Sequence, residues 1–170
     1  MGGSAGPAAM HVLDILSTER VAIAGGAGAG ALGGIRSKRE ALHALAGLLA
    51  RGDARLTAEA VEHVLVRRED LQSTGVGGGV AIPHGTMDEV ERIVGALLVC
   101  KQPIDFSAID GEPVSILFAI VGPKRSTGEH LKSLARVSRL LRDDDFRRRL
   151  VEAPTAESAV ALIRGEEGGA

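Results

Sequence analysis

His84 closes the segment Ser73-Thr74-Gly75-Val76-Gly77-Gly78-Gly79-Val80-Ala81-Ile82-Pro83-His84-Gly85, and its surroundings suit covalent chemistry better than those of any other residue in the chain. An ordinary imidazole has a pKa of about 6.5, so at neutral pH it is mostly uncharged and offers a lone pair as a nucleophile. Phosphoryl transfer needs that lone pair in line with phosphorus, and donors that hold the equatorial oxygens. Candidate donors precede the histidine. Gly75, Gly77, Gly78 and Gly79 can expose backbone N–H groups, and Ser73 and Thr74 add hydroxyls. Pro83 stiffens the approach, and Gly85 leaves the ring uncrowded. A lone histidine is commonly a polar cap where a strand leaves the core, but this glycine-rich approach and tight exit favour chemistry.

Two further residues fit an anion site. His130 lies near the start of a helical pattern, where the macrodipole disfavours an imidazolium and free N–H groups attract anions. A neutral His130 there is a hydrogen-bond donor to a phosphoryl oxygen on His84, or else an exposed first-turn residue. Arg68 precedes the glycine-rich loop, placed to pair with phosphate in bidentate fashion, although a helix C-terminus also attracts cations for dipole reasons alone. His11, His43 and His63 have no comparable context.

The elements that must position these residues follow from periodicity. Val21–Ala24 reads as a short strand, and the Gly/Ala stretch 25–34 as a mobile loop. Ser37 caps a helix with Ala41, Leu42, Leu45, Ala46, Leu48 and Leu49 inward and Gly52 after its end, and Thr57 opens a second with Val61, Val64 and Leu65 buried. Val80 and Ile82 mark a strand running into Pro83-His84. Strands are expected over 93–100 and 114–121, the latter apolar enough to be covered on both faces. A helix over 129–142 is expected to bury Leu131, Leu134, Ala135, Ser138 and Leu141. A short one spans 146–150, and a last one opened by Thr155 buries Ala159, Leu162 and Ile163. The pattern predicts an α/β fold, a single mixed β-sheet flanked by helices on both sides. Residues 1–10 read as a flexible leader, 11–164 as the domain and 165–170 as a flexible Gly-rich tail.

Composition narrows the function. With no Trp or Tyr and only Phe106, Phe118 and Phe146, the core must be aliphatic, and the aromatic platforms of nucleic-acid readers are missing. A net charge of -2 agrees, and Arg147, Arg148 and Arg149 read as a solvated helix face. The single Cys100 reads as a buried structural thiol of a reducing compartment, and no apolar run is long enough to span a membrane. A cytoplasmic protein without cofactor or metal is expected.

The run from Arg68 to Gly85 resembles the signature of enzyme IIA domains of the bacterial phosphotransferase system, of the fructose/mannitol class that includes the nitrogen-regulatory proteins. Glu129-His130-Leu131-Lys132-Ser133-Leu134-Ala135 resembles that family's second motif, and the similarity extends from about His11 to Arg164. The resemblance implies that His84 is phosphorylated by the histidine phosphocarrier protein HPr, or its nitrogen-branch counterpart, and donates to a cysteine on a IIB partner or acts through a regulatory target. It implies that His130 is the second active-site histidine and that Arg68 lies beside the site; with Arg68, the loop residues Ser73, Thr74, Gly77 and Gly79 are the candidate phosphate-binding residues. The Gly/Ala stretch 25–34 departs from the family's larger and charged residues. The Ser-Thr-Gly-Val-Gly loop, with no IIB or membrane IIC region attached, points to a stand-alone nitrogen-regulatory role over a fructose-type transport role.

Two other classes fit less well. Gly28-Ala29-Gly30-Ala31-Leu32-Gly33 satisfies the dinucleotide fingerprint G-x-G-x-x-G, with Asp53 beyond it, but Asp53 closes a predicted helix rather than a second strand. Asp88 and Glu89 after His84, and Glu129 before His130, make no recognised metal-ligand spacing.

Overall fold

A computed structural model describes residues 10–168 except 27 and 29. Short 3-10 turns at Val12–Asp14 and Thr18–Arg20 lead into β1 (Val21–Ala24) and β2 (Ala31–Leu32). Two helices follow, α1 (Lys38–Ala50) and α2 (Ala58–Leu71), and then three short strands, β3 (Gly75–Gly77), β4 (Val80–Ala81) and β5 (His84–Thr86). The long strands β6 (Val94–Ile104) and β7 (Val114–Gly122) precede α3 (Thr127–Leu140), α4 (Asp144–Glu152) and α5 (Ala156–Gly168). Side-chain caps start the helices as the sequence implies: the Ser37 and Thr57 hydroxyls accept from the N–H groups of Glu40 and Ala60, each at 3.1 Å.

The sheet runs β2-β1-β6-β7-β4-β3, with β5 also paired to β7. β6 and β7 are antiparallel, while β4 and β5 both lie parallel to β7, so residues 80 to 86 form one edge path interrupted at Ile82-Pro83. Alternation along β7 sends Leu117, Ala119 and Val121 to a core shared with α1 and α2. Ile116, Phe118 and Ile120 go to a second core shared with α3, α4 and α5. Both faces of this strand are therefore covered, as its unbroken apolar run requires. All three phenylalanines are fully buried. Cys100 is buried too, and that burial pushes its thiol up to about 12.

Several expectations change. The stretch 25–34 is not loop throughout, because Ala31 and Leu32 pair with Ile23 and Ala24. Gly30 adopts φ +83°, and a Cβ there would meet the Ala156 side chain at 2.7 Å, so its small size lets the edge approach α5. α5 continues to Gly168 with Glu167 buried, so residues 165–168 are helix rather than tail. The carboxylate of Glu167 accepts from the Val12 N–H at 2.8 Å and pairs with Arg136, which is why an acidic helix end packs inward. Met10 packs against the second core, and the rest of the expected leader lies outside the described residues.

α3 is rotated relative to the expected face. It buries His130, Ser133 and Val137, while Leu131 and Ala135 are exposed. Arg147 departs from the solvated-face reading, since it is half-buried and donates to the carbonyls of Leu141 and Arg142, both at 2.8 Å, capping the end of α3. Asp53 follows α1 in a turn with Arg55, and no strand lies between α1 and α2, so the dinucleotide geometry is not formed. Among the described residues no helix is long and apolar enough to cross a membrane.

Candidate active site

β5 holds His84 at the sheet edge through pairing of His84 with Ile120 of β7, and the Pro83 carbonyl accepts the Ile120 N–H at 2.9 Å. The ring is fixed from within its own strand. Its Nδ1 lies 2.8 Å from the Ile82 carbonyl oxygen, which can only accept, so the proton resides on Nδ1. The lone pair is then on Nε2, which has no protein partner and is not sealed from solvent. Burial, reinforced by the Arg68 charge, holds the imidazole below the ordinary histidine value, although the Ile82 carbonyl and the Glu69 charge oppose this. At neutral pH His84 is an uncharged imidazole with one nitrogen free.

His130 sits on the first turn of α3, on the face of the sheet to which His84 and its partner Ile120 point, with its ring centroid 5.9 Å from that of His84. It is buried, which rules out the exposed first-turn reading. Its Nδ1 is the one buried side-chain polar atom without a hydrogen-bond partner among the described residues. An N–H aimed there would go unpaired, so the proton belongs on Nε2, where an oxygen can take it. Burial, and then the neighbouring His84, hold this ring below its ordinary value as well. Gly122 at the end of β7 makes room for it, since a Cβ there would lie 3.2 Å from Nδ1 of His130 and 3.0 Å from Ile93.

A cavity of about 620 Å³ opens over His84, and Arg68, Ser73, Thr74, Ile109 and Leu134 are among the residues lining it. Arg68 donates one guanidinium nitrogen to the Gln72 carbonyl at 2.9 Å, capping α2 and leaving the rest of the fork for an anion. Ser73 and Thr74 line the cavity with hydroxyls already engaged. Ser73 donates to the Phe106 carbonyl at 2.9 Å and accepts from the Gly75 N–H at 3.1 Å, while Thr74 donates to the Glu69 carboxylate. Both hydroxyls thus bond within the protein in this structure.

The glycines separate in the same way. Gly77, Gly78 and Gly79, with φ of +97°, +67° and +79°, make the turn from β3 to β4. Gly77 and Gly78 line a different depression, beside Arg147, and the Gly78 N–H donates to Asp110 at 3.0 Å. Gly77 and Gly79 thus shape the strand entry and do not line the His84 cavity. Sequence reasoning passed over Glu69, whose carboxylate is buried against this loop. The signal was an acidic residue in the last turn of a helix, where the dipole opposes it and only a specific partner would keep it.

The chain matches, over residues 33–165, the family described as "Phosphoenolpyruvate-dependent sugar phosphotransferase system, EIIA 2". It is 40% identical over 132 residues to a nitrogen regulatory protein of Bradyrhizobium diazoefficiens, covering 76% of this chain and 84% of that one. A nitrogen regulatory protein of Pseudomonas aeruginosa is 38% identical over 133 residues, covering 78% and 86%. Among solved structures, nitrogen regulatory protein IIA-Ntr from Neisseria meningitidis superimposes with a TM-score of 0.78 at 32% identity, over 88% of this chain and 97% of that one.

Proposed function

The chain belongs to the EIIA type 2 family of the phosphoenolpyruvate-dependent sugar phosphotransferase system, and on that premise we propose that it carries a phosphoryl group on Nε2 of His84 as a cytoplasmic regulatory protein of the nitrogen branch. The observation that carries this reading is the Nδ1–H bond to the Ile82 carbonyl, because it leaves the other nitrogen as an oriented nucleophile at the mouth of a cavity. The Nε2 lone pair forms the new N–P bond as the donor's bond to phosphorus breaks, and the leaving group keeps its electron pair. No proton has to leave the attacking nitrogen. Nδ1 keeps its proton, and the Ile82 carbonyl offsets the positive charge that grows on the ring. Arg68 and the Nε2–H of His130 take the equatorial oxygens.

The rim of the cavity suits a protein donor of the HPr type. Leu71, Val76, Ile109 and Leu131 are the exposed large apolar side chains of the described residues, and Val76 and Ile109 line the cavity itself. Leu71 adjoins Gln72, and Leu131 adjoins His130. Such an apolar ring around a charged centre excludes water once a protein face covers it. Residues 11–168 make up the carrier domain, and the 38–40% identity to nitrogen regulatory proteins supports the regulatory role.

The test is incubation with phosphoenolpyruvate, enzyme I and HPr, followed by intact mass and acid treatment. One acid-labile phosphoryl group is expected, and none in a folded His84→Ala protein. Labelling that survives this substitution would overturn the assignment. Efficient onward transfer to a fructose-type IIB cysteine would move the protein from regulation to sugar transport.

A further inference from the structure

Glu69 occupies the last turn of α2, where a carboxylate opposes the helix dipole, and its side chain is only 2% exposed. Burial of that charge is expensive unless it is paired and hydrogen-bonded. Here it is both. Oε1 accepts from the Thr74 N–H at 2.9 Å and pairs with Lys38 Nζ at 2.7 Å, and Oε2 accepts from the Thr74 hydroxyl. Lys38 is in turn held 4.7 Å above the ring of Phe106. Thr74 is thereby fixed at both its backbone and its side chain.

The contacts continue to the nucleophile. The Thr74 carbonyl accepts the Ile82 N–H at 3.0 Å, and the Ile82 carbonyl accepts Nδ1–H of His84 at 2.8 Å. We infer that Glu69, held by Lys38, is a positioning residue for His84, acting through Thr74 and Ile82 to fix the carbonyl that keeps the proton on Nδ1 and frees Nε2. A carboxylate that served stability alone would have no need to grip both the amide and the hydroxyl of the residue whose carbonyl holds Ile82. The Glu69 charge also reaches the ring directly and favours positive charge on it, the charge that grows when Nε2 bonds to phosphorus. The geometric part of this inference stands on the structure, and only its kinetic part rests on the phosphocarrier reading.

The experiment compares the full chain with Glu69→Gln, Thr74→Val and Thr74→Ser. Nitrogen-15 spectra of the imidazole report the His84 tautomer, and transfer from phosphorylated HPr reports kcat and KM. Thr74→Val and Glu69→Gln are expected to populate the Nε2–H tautomer and to lower kcat about ten-fold, with KM for the donor unchanged. Thr74→Ser, which restores the hydroxyl, is expected to keep the original tautomer and kcat. Folded Thr74→Val and Glu69→Gln proteins with an intact Nδ1–H signature and unchanged kcat overturn the inference. Should Glu69→Gln fail to fold, Thr74→Val decides, since it exchanges one hydroxyl for a methyl. Should the unaltered protein accept no phosphoryl group, the carrier reading fails while the tautomer still judges the relay: loss of Nδ1–H in Thr74→Val supports it, and retention sinks it.

Discussion

The two histidines of the site lie with ring centroids 5.9 Å apart and are held by opposite means. His84 sits on a strand edge, with its ring tied through Nδ1 to a backbone carbonyl two residues earlier. His130 projects from a helix, its Nδ1 buried against Gly122 and bonded to nothing. A nucleophile must keep one tautomer through many turnovers, and a hydrogen bond enforces that. A donor to a phosphoryl oxygen needs only to be neutral and close, which packing can supply. Under the proposed function, the difference gives the chemistry to the tethered ring and transition-state stabilisation to the wedged one.

That assignment can be broken or sharpened by five measurements. The largest effect is expected in His130→Ala, which removes a donor without touching the nucleophile. Phosphoryl transfer should slow by about a hundred-fold, while His84 remains the single labelled position and the nitrogen-15 spectrum keeps its Nδ1–H form. A His130→Ala protein that transfers at the normal rate would reduce His130 to a packing residue. Next comes Gly122→Ala, which presses a methyl group against both Ile93 and the His130 ring. Here the expected loss is about ten-fold in kcat, with the His84 tautomer unaltered. If the tautomer changed as well, the two rings would be mechanically coupled and the contrast between them would fail.

Smaller effects concern pH. Burial holds both rings below the ordinary histidine value. A group that resists protonation when folded binds fewer protons than in the unfolded chain. Its contribution to stability is therefore complete above pH of about 6.5 and is lost as pH falls through that value toward the folded pKa values. Thermal midpoints should accordingly drop on acidification below neutrality, and the drop should lessen in His130→Gln. Acceptance of phosphate should persist to lower pH than free imidazole allows. An acid limb at the free-histidine value would contradict this. The smallest effect is expected from Arg68→Gln on titration alone. Losing the neighbouring guanidinium should move the His84 midpoint upward, read by the same nitrogen-15 spectra, and a downward movement would show that Arg68 does not face the ring.

What the sequence showed and what it hid follow physical lines. Pro83, His84 and Gly85 were legible because local punctuation constrains the backbone whatever lies around it, and the apolar run of β7 announced a doubly covered strand. The register of α3 was not legible. Leu134 and Leu141 meet the second core as expected, but apolarity also favoured Leu131 over His130, Ser133 and Val137, which are buried. Leu131 is exposed instead. Ser73 and Thr74 advertised free hydroxyls, but a carboxylate folded back from α2 and a carbonyl from residue 106 claim them. Those partners are tertiary. The Gly-rich turn was recognised as special backbone, and its positive φ values make a strand reversal beside Arg147.

The order of the sheet also sets a timetable. β5 finds its strand partner in β7, and His130 follows only in α3, so during synthesis the nucleophile leaves the ribosome well before either neighbour exists. A nascent chain that ends before β7 has His84 on an unpaired segment, with no Ile120 to hold it and no Gly122 to seat the second ring. Both cores are also incomplete until β7 arrives, because its alternate residues enter each of them. Under the proposed function, competence for transfer waits for β7 and α3, so an unfinished chain would not draw phosphate from the donor pool.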